Sequence, residues 1–223
     1  MTNLELGIDD AGRGPVMGPM ILGGCLIKKS DEEKLRELGV RDSKTLTPKR
    51  RAFLAEKIKE IAVSYKLIKI FPDEIDSQKD AGVKLNEVEA IAAAKIVDFL
   101  NTQDGKLDVV LDCPSTNTIA WRDFFISKLK KTDNLNVESK HKADATNISV
   151  SAASILAKEE REKEVAKIKE KYGSDIGSGY PSDPNTIAFL KKNAIKLKDE
   201  GVFRKSWSTY QKYGGIVMQK TLF

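Results

Sequence analysis

Two adjacent carboxylates, Asp9 and Asp10, follow a short alternating apolar segment, Leu4-Glu5-Leu6-Gly7-Ile8. Two further acids stand at comparable places: Asp112 ends the apolar run 107–111, and Asp144 lies just ahead of a long helical segment. If the strands ending on Asp9 and Asp112 are parallel neighbours, their axes lie about 4.8 Å apart. Both acids then meet at the carboxyl end of the sheet, where open α/β sheets bind ligands. Carboxylates gathered this way raise one another's pKa values unless a cation intervenes. Hard oxygen donors with room for water suit Mg2+ or Mn2+. Each acid taken singly also reads as a cap or a surface group. His141 is the only histidine, which excludes a multi-histidine zinc site. A Ser-His-Asp hydrolase would depend on that one residue, set between Lys140 and Lys142.

The elements that must position these acids are legible in outline. After the turn Gly12-Arg13-Gly14-Pro15, residues 20–27 read as a second strand and 63–71 as a third. Ser30 with Glu33 reads as a capping box opening a short helix that Gly39 closes. Thr47-Pro48 opens another helix. Leu85, Val88, Ala92, Ile96 and Phe99 recur at helical spacing. Residues 107–111 form a fourth strand, 118–129 a helix, and Leu135-Asn136-Val137 a short fifth strand. The longest helix spans 148–172, with Gly173 as its stop, and its charged stretch 159–171 reads as a solvated face. Asp183-Pro184 caps a helix to about Lys198, and 206–213 add a turn or two. This order implies an α/β fold, a mixed five-stranded sheet flanked by helices, with antiparallel strands at one edge and parallel ones at the other. The expected divisions are 1–175 for the catalytic domain, 176–213 for a small C-terminal helical extension, and 214–223 for a flexible tail.

A content of 40% hydrophobic and 32% charged residues places the chain among globular rather than disordered proteins. The start, Met1-Thr2-Asn3-Leu4-Glu5, lacks the basic and apolar regions of a signal peptide. No apolar run approaches the ~20 residues that span a bilayer. Cys25 and Cys113 fit no metal or redox spacing and read as unpaired packing residues. A cytoplasmic monomer is the expectation. The net charge of +5 belongs to the second half: 1–119 carries 18 basic and 20 acidic residues, 120–223 carries 20 and 13. Such a half suits a polyanionic partner, because phosphate contacts release counterions. It reads equally as a solvated lysine-rich surface.

The opening block Gly7-Ile8-Asp9-Asp10-Ala11-Gly12-Arg13-Gly14-Pro15-Val16-Met17-Gly18-Pro19 resembles that of type 2 ribonucleases H. Further blocks follow in family order: Arg41-Asp42-Ser43-Lys44-Thr45-Leu46-Thr47, Leu85-Asn86-Glu87-Val88-Glu89-Ala90, Lys142-Ala143-Asp144-Ala145 and Val150-Ser151-Ala152-Ala153-Ser154-Ile155-Leu156-Ala157-Lys158. Gly177-Ser178-Gly179-Tyr180-Pro181-Ser182-Asp183-Pro184 and Ser206-Trp207 complete the set over nearly the whole chain. The Gly-Tyr-Pro-Ser-Asp-Pro block and the compact length resemble archaeal members. The resemblance implies a ribonuclease H-like fold and a Mg2+- or Mn2+-dependent endonuclease. Its implied substrates are RNA–DNA hybrids and duplex DNA containing ribonucleotides, and its products 5′-phosphate and 3′-hydroxyl ends. It implies a two-metal site on Asp9, Asp10, Asp112 and Asp144, with Asp9 bridging the ions, Asp10 and Asp112 on one side and Asp144 completing the second.

Further expectations follow from the same resemblance. Gly12, Arg13 and Gly14 would present backbone groups to the ribose 2′-hydroxyl. Tyr180 would sense the same hydroxyl, and Lys44 would contact a backbone phosphate. One departure stands out: the family has Glu after the first Asp, whereas this chain has Asp10, shorter by roughly 1.5 Å, one carbon–carbon bond. Rival readings are another nuclease or recombinase of the same fold, or a hybrid-binding protein whose catalysis is impaired at Asp10. At the C-terminus, Gln219, Leu222 and Phe223 resemble the start of a sliding-clamp-binding motif, without its second aromatic residue. The alternative is that Leu222 and Phe223 fold back onto the helical extension.

Overall fold

The computed structural model describes residues 3–41, 46–102 and 105–214. Lys44, Gln219, Leu222 and Phe223 lie outside the described residues. Five strands form one sheet: β1 (Leu4–Ala11), β2 (Met20–Lys28), β3 (Ser64–Ile70), β4 (Leu107–Asp112) and β5 (Leu135–Lys140). Their order is β3-β2-β1-β4-β5. β1 pairs antiparallel with β2 and parallel with β4, which in turn pairs parallel with β5. The mixed sheet expected from the order of elements is therefore present.

Nine helices stand among the described residues: α1 (Glu32–Glu37), α2 (Pro48–Ile61), α3 (Pro72–Asp80), α4 (Leu85–Leu100), α5 (Thr118–Ile126), α6 (Ala143–Thr146), α7 (Ile148–Tyr172), α8 (Pro184–Asn193) and α9 (Ser208–Gly214). Thr47 caps α2 as expected, its side chain accepting the Arg50 N–H at 3.3 Å. The Ser30–Glu33 capping box does not form. α1 starts one residue later, after Asp31, with no side-chain cap bond, because Lys29–Asp31 tightens into a 3-10 turn instead. α3 and α6 have no counterpart in the sequence reading. α3 buries only Pro72, Ile75 and Asp76, too few apolar groups to show a stripe, and α6 is a single turn. None of the described helices is long and apolar enough to cross a membrane.

By contact the chain divides into two compact units: one from Met1–Ala11, Ile21–Ile68 and Leu85–Glu160, the other from Gly12–Met20, Lys69–Lys84 and Arg161–Phe223. These units cut across the boundary expected after residue 175, because segments 12–20 and 69–84 pack with the C-terminal part of the chain.

In the first unit, two neighbouring glycines of β2 show how helices cover both faces of the sheet. A Cβ on Gly23 would meet the Ala153 carbonyl of α7 at 2.7 Å, whereas one on Gly24 would meet Ile96 of α4 at 2.3 Å. Successive strand residues point to opposite faces, so α7 and α4 lie on opposite sides. Gly7 of β1 shares the α7 side, and there a Cβ would come within 2.1 Å of the Ser149 backbone. The start of α7 can lie on β1 only because position 7 has no side chain. The core on this side joins Cys25 and Ile27 of β2, Leu35, Leu54 and Ile58 of α1 and α2, and Ala152, Ile155 and Leu156 of α7. Cys25 and Cys113 are both buried and free, as expected, and burial pushes the Cys25 thiol up to about 12.

The second unit has its own core, in which Val16 and Met17 pack with Phe189 and Leu190 of α8 and with Val202 and Phe203. The ring of Tyr210 in α9 lies 5.7 Å from that of Phe203. The charged stretch 159–171 is not a uniformly solvated face. Arg161 and Glu164 are buried, and Lys69 and Lys167 each reach Glu164 at 2.8 Å.

Candidate active site

Register brings the first acids together. Ile8 of β1 pairs with Leu111 of β4, so Asp9 and Asp112 come next on adjacent parallel strands at their carboxyl ends. Asp9 is buried and Asp10 half-buried. Asp9, Asp10 and Asp112 line one small pocket with Glu89 and Ala93 of α4, Pro114 and Trp121. Its volume is about 10 Å³, the space of one water-sized sphere.

Burial raises the Asp9 carboxyl well above the usual carboxylate range, and the negative charges of Asp10 and Asp112 raise it further. A hydrogen bond with Ser154 of α7 and one from the Asp10 N–H, at 2.8 Å to Oδ1, act the other way. Asp112 is held differently: its Oδ1 accepts the Ala143 N–H at 2.8 Å. Asp144, the next residue, is buried in α6 and stands outside the lining of the pocket. The turn into α6 passes through Lys142, whose φ of 56° is the one left-handed value at a non-glycine among the described residues. Beside it the exposed His141 sets Nδ1 3.1 Å from the Cys113 carbonyl oxygen.

Among the described residues no three His, Cys, Asp or Glu side chains form a ready metal-binding group, so ligation requires the carboxylates to turn toward a common point. The donor chemistry nevertheless fits a divalent ion. The charges that raise Asp9 are both negative, and a cation beside it would reverse their effect. Glu89 was not foreseen as a site residue. It belongs to the Leu85–Ala90 motif, but nothing in the helical period marks it as the acid that faces the pocket, and it is 1% exposed.

Of the residues expected to contact substrate, Gly12, Arg13, Gly14 and Tyr180 belong to the second unit. Gly14 and Tyr180 are exposed there and face one another, a Cβ on Gly14 standing 3.6 Å from Tyr180 Cε1. The turn bearing Tyr180 is fixed by Asp183, whose carboxylate accepts the Ser178 N–H at 2.7 Å and the Asn185 N–H at 2.9 Å. Those bonds hold the Asp183 carboxyl below its usual value. Thr186 adds a bridge, accepting from the Gly179 N–H and donating to the Ile176 carbonyl.

The sequence model of the ribonuclease HII family matches residues 6–210. The chain belongs to that family. The ribonuclease HII of Methanocaldococcus jannaschii is 42% identical over 216 residues, which cover 92% of each chain. Among solved structures, the ribonuclease H2 of Pyrococcus horikoshii superposes with a TM-score of 0.82 at 37% identity, covering 95% of this chain and 97% of that one. A ribonuclease HII of Archaeoglobus fulgidus, solved as a complex with PCNA, gives 0.79 at 36% identity, covering 92% and 95%. Membership makes the chain a ribonuclease H: a divalent-metal-dependent nuclease of RNA–DNA hybrids. The five-stranded ribonuclease H-like sheet flanked by helices agrees with it.

Proposed function

We propose that this ribonuclease HII also incises duplex DNA at single embedded ribonucleotides, by a two-metal reaction on Asp9, Asp10, Asp112 and Asp144 that leaves 5′-phosphate and 3′-hydroxyl ends. The observation that carries the reading is Asp9, a buried carboxylate at a strand end whose charged form is opposed by Asp10 and Asp112. Mg2+ or Mn2+ would supply positive charge to an attacking water and to the departing 3′ oxygen. Asp9 would be shared between the two ions, with Asp10 and Asp112 on one and Asp144 on the other. Ser154 and the Asp10 N–H hold the Asp9 carboxylate in place. The bond from Ala143 restrains Asp112, so each acid has a partner within the protein from which it would turn toward an ion.

Residues 12–14 and Tyr180 would recognise the 2′-hydroxyl, and Lys44 a backbone phosphate. In this reading residues 1–175 supply the catalysis and the extension 176–213 contributes Tyr180. The protein would act as a monomer, and residues 219, 222 and 223 would dock on a sliding clamp, a reading supported by the complex that the Archaeoglobus fulgidus relative forms. The test is end mapping on a duplex with one ribonucleotide, joined to calorimetric titration with Mn2+. Two bound ions, with cuts leaving 5′-phosphate and 3′-hydroxyl, agree with the proposal. A single ion, or 2′,3′-cyclic ends, contradicts it.

A further inference from the structure

Besides backbone bonds from the Val16 and Gly18 N–H groups to the Gly179 and Val202 carbonyls and from the Arg204 N–H to the Val16 carbonyl, the segment 12–19 is held by side chains reaching its carbonyl oxygens. Arg204 is wholly buried and donates Nη2 to the Gly12 carbonyl, Nη1 to the Arg13 carbonyl at 2.8 Å, and Nε and Nη2 to the Gly18 carbonyl at 3.1 and 2.9 Å. One guanidinium therefore ties both ends of the loop together. Trp207 packs on it, the guanidinium carbon lying 4.9 Å from the ring centroid, and donates Nε1 to the Gly14 carbonyl at 3.2 Å. Arg161, also buried, donates to the Pro19 carbonyl at 3.1 Å and the Met17 carbonyl at 3.4 Å and is hydrogen-bonded to the Tyr180 side chain.

Peptide geometry turns these bonds into a statement about donors. In a planar trans peptide the C=O and the following N–H point in opposite directions, and the described chain has no cis bond. With the Gly12 and Arg13 carbonyls turned toward Arg204, the N–H groups of Arg13 and Gly14 turn away from it. Gly14 is followed by Pro15, which has no N–H, so the side of the loop turned away from Arg204 carries two adjacent N–H groups, the second on an exposed glycine. Arginine only donates, so the Tyr180 oxygen accepts from Arg161 and its own hydrogen remains to be given elsewhere. Gly12 is held to glycine by the same frame: its φ is +82°, and a Cβ would come within 2.3 Å of Arg161 Cδ.

We propose that Arg204, Trp207 and Arg161 are specificity-positioning residues: they aim the Arg13 and Gly14 N–H groups and the Tyr180 hydroxyl as one rigid reader of the ribose 2′-hydroxyl. This rests on the reading above in which residues 12–14 and Tyr180 contact that group. A lone ribonucleotide offers a single 2′-hydroxyl in one register, whereas a continuous RNA strand offers one at every position. A loosened reader therefore loses more on the lone ribonucleotide, while a merely destabilised protein loses equally on both.

The measurement is the ratio of kcat/KM on a lone-ribonucleotide duplex to that on a continuous RNA–DNA hybrid, for the wild type and for Arg204→Lys, Trp207→Phe and Tyr180→Phe. Arg204→Lys keeps the charge and loses the fork. It should lower the ratio about tenfold, through kcat more than KM, a loss equivalent to one or two hydrogen bonds. Trp207→Phe deletes one bond and should lower the ratio about threefold; it decides the matter alone if Arg204→Lys does not fold. If Tyr180→Phe lowers the ratio while Arg204→Lys and Trp207→Phe leave it within about twofold, the framing role is overturned and the reading stands. If Tyr180→Phe also leaves it unchanged, the reading itself fails, and the framing role with it.

Discussion

Asp112 Oδ1 accepts the backbone N–H of Ala143 at 2.8 Å, so the acid that closes β4 also holds the first turn of the helix carrying Asp144. The two acids are 32 positions apart in sequence, yet this single bond ties the Asp112 side chain to the backbone next to Asp144. The left-handed turn at Lys142 makes it possible, at a conformational cost of about 1–3 kcal/mol for a non-glycine residue. A strained residue of this kind persists when its surroundings fix it, and here one of the fixed groups is a carboxylate of the proposed site.

Replacing Asp9 by Asn should abolish cleavage and at the same time stabilise the metal-free protein. The Asp9 carboxyl is raised in the folded state by burial and by Asp10 and Asp112, so the native form holds its proton more tightly than the unfolded form. Stability is then lost as pH rises from the unfolded pKa, about 4, through the raised folded value, and the penalty is complete only above that value. Asn removes it. Each kcal/mol relieved should raise Tm by about 2–4 °C in a chain of this size. Melting curves in EDTA at pH 7 check this, and a lower Tm for Asp9→Asn would contradict the electrostatic account. Added Mn2+ should stabilise the wild type and leave Asp9→Asn nearly unchanged.

Asp10→Glu should keep or raise Mg2+-supported cleavage. Mg2+ asks for near-octahedral geometry, and the longer side chain restores a reach that Asp10 lacks. Steady-state rates in Mg2+ decide it. A drop of more than about tenfold would mean that the pocket shared by Asp10, Glu89 and Asp112 is adapted to the shorter acid.

Gly7→Ala should destabilise the protein by about 3 kcal/mol, the upper end for forcing a group into a packed site. Its Cβ would come within 2.1 Å of the backbone at the start of α7, and backbone cannot swing aside as a side chain can. Gly105→Ala serves as the control. Nothing lies within 4 Å of its Cβ, so the change should be about 0.5 kcal/mol or less. Urea denaturation separates the two, and equal midpoints would refute the close approach of α7 to β1.

Much of this architecture is written in local pattern. Asp9 and Asp112 were legible because each directly follows an apolar run, and parallel pairing of the strands those runs form then sets them side by side. Gly173 and Asp183 mark helix boundaries through left-handed backbone and capping, both local effects. Arg161, Arg204 and Glu89 were not legible. Each is a charged residue in polar or mixed surroundings, which reads as surface, and its burial depends on carbonyls or carboxylates brought from distant parts of the chain. The Ser30–Glu33 pattern fits a capping box equally well, yet a 3-10 turn took its place.

Deleting residues 219–223 should leave cleavage of short duplexes unchanged while removing binding to an archaeal-type sliding clamp. A clamp would act by raising local concentration on DNA and would not alter the chemistry. Failure of the intact protein to bind such a clamp at about 100 µM, where even weak motif affinities register, would reject the assignment of Gln219, Leu222 and Phe223.

The most direct test is cleavage of otherwise identical duplexes holding one ribonucleotide, four, or none, with Mg2+, with Mn2+ and with EDTA. The account predicts cuts at both ribonucleotide-containing duplexes with either metal, no cut in the all-DNA duplex, and no activity in EDTA. Cleavage of the all-DNA duplex, cleavage in EDTA, or a lone ribonucleotide left intact while the tract of four is cut would contradict it.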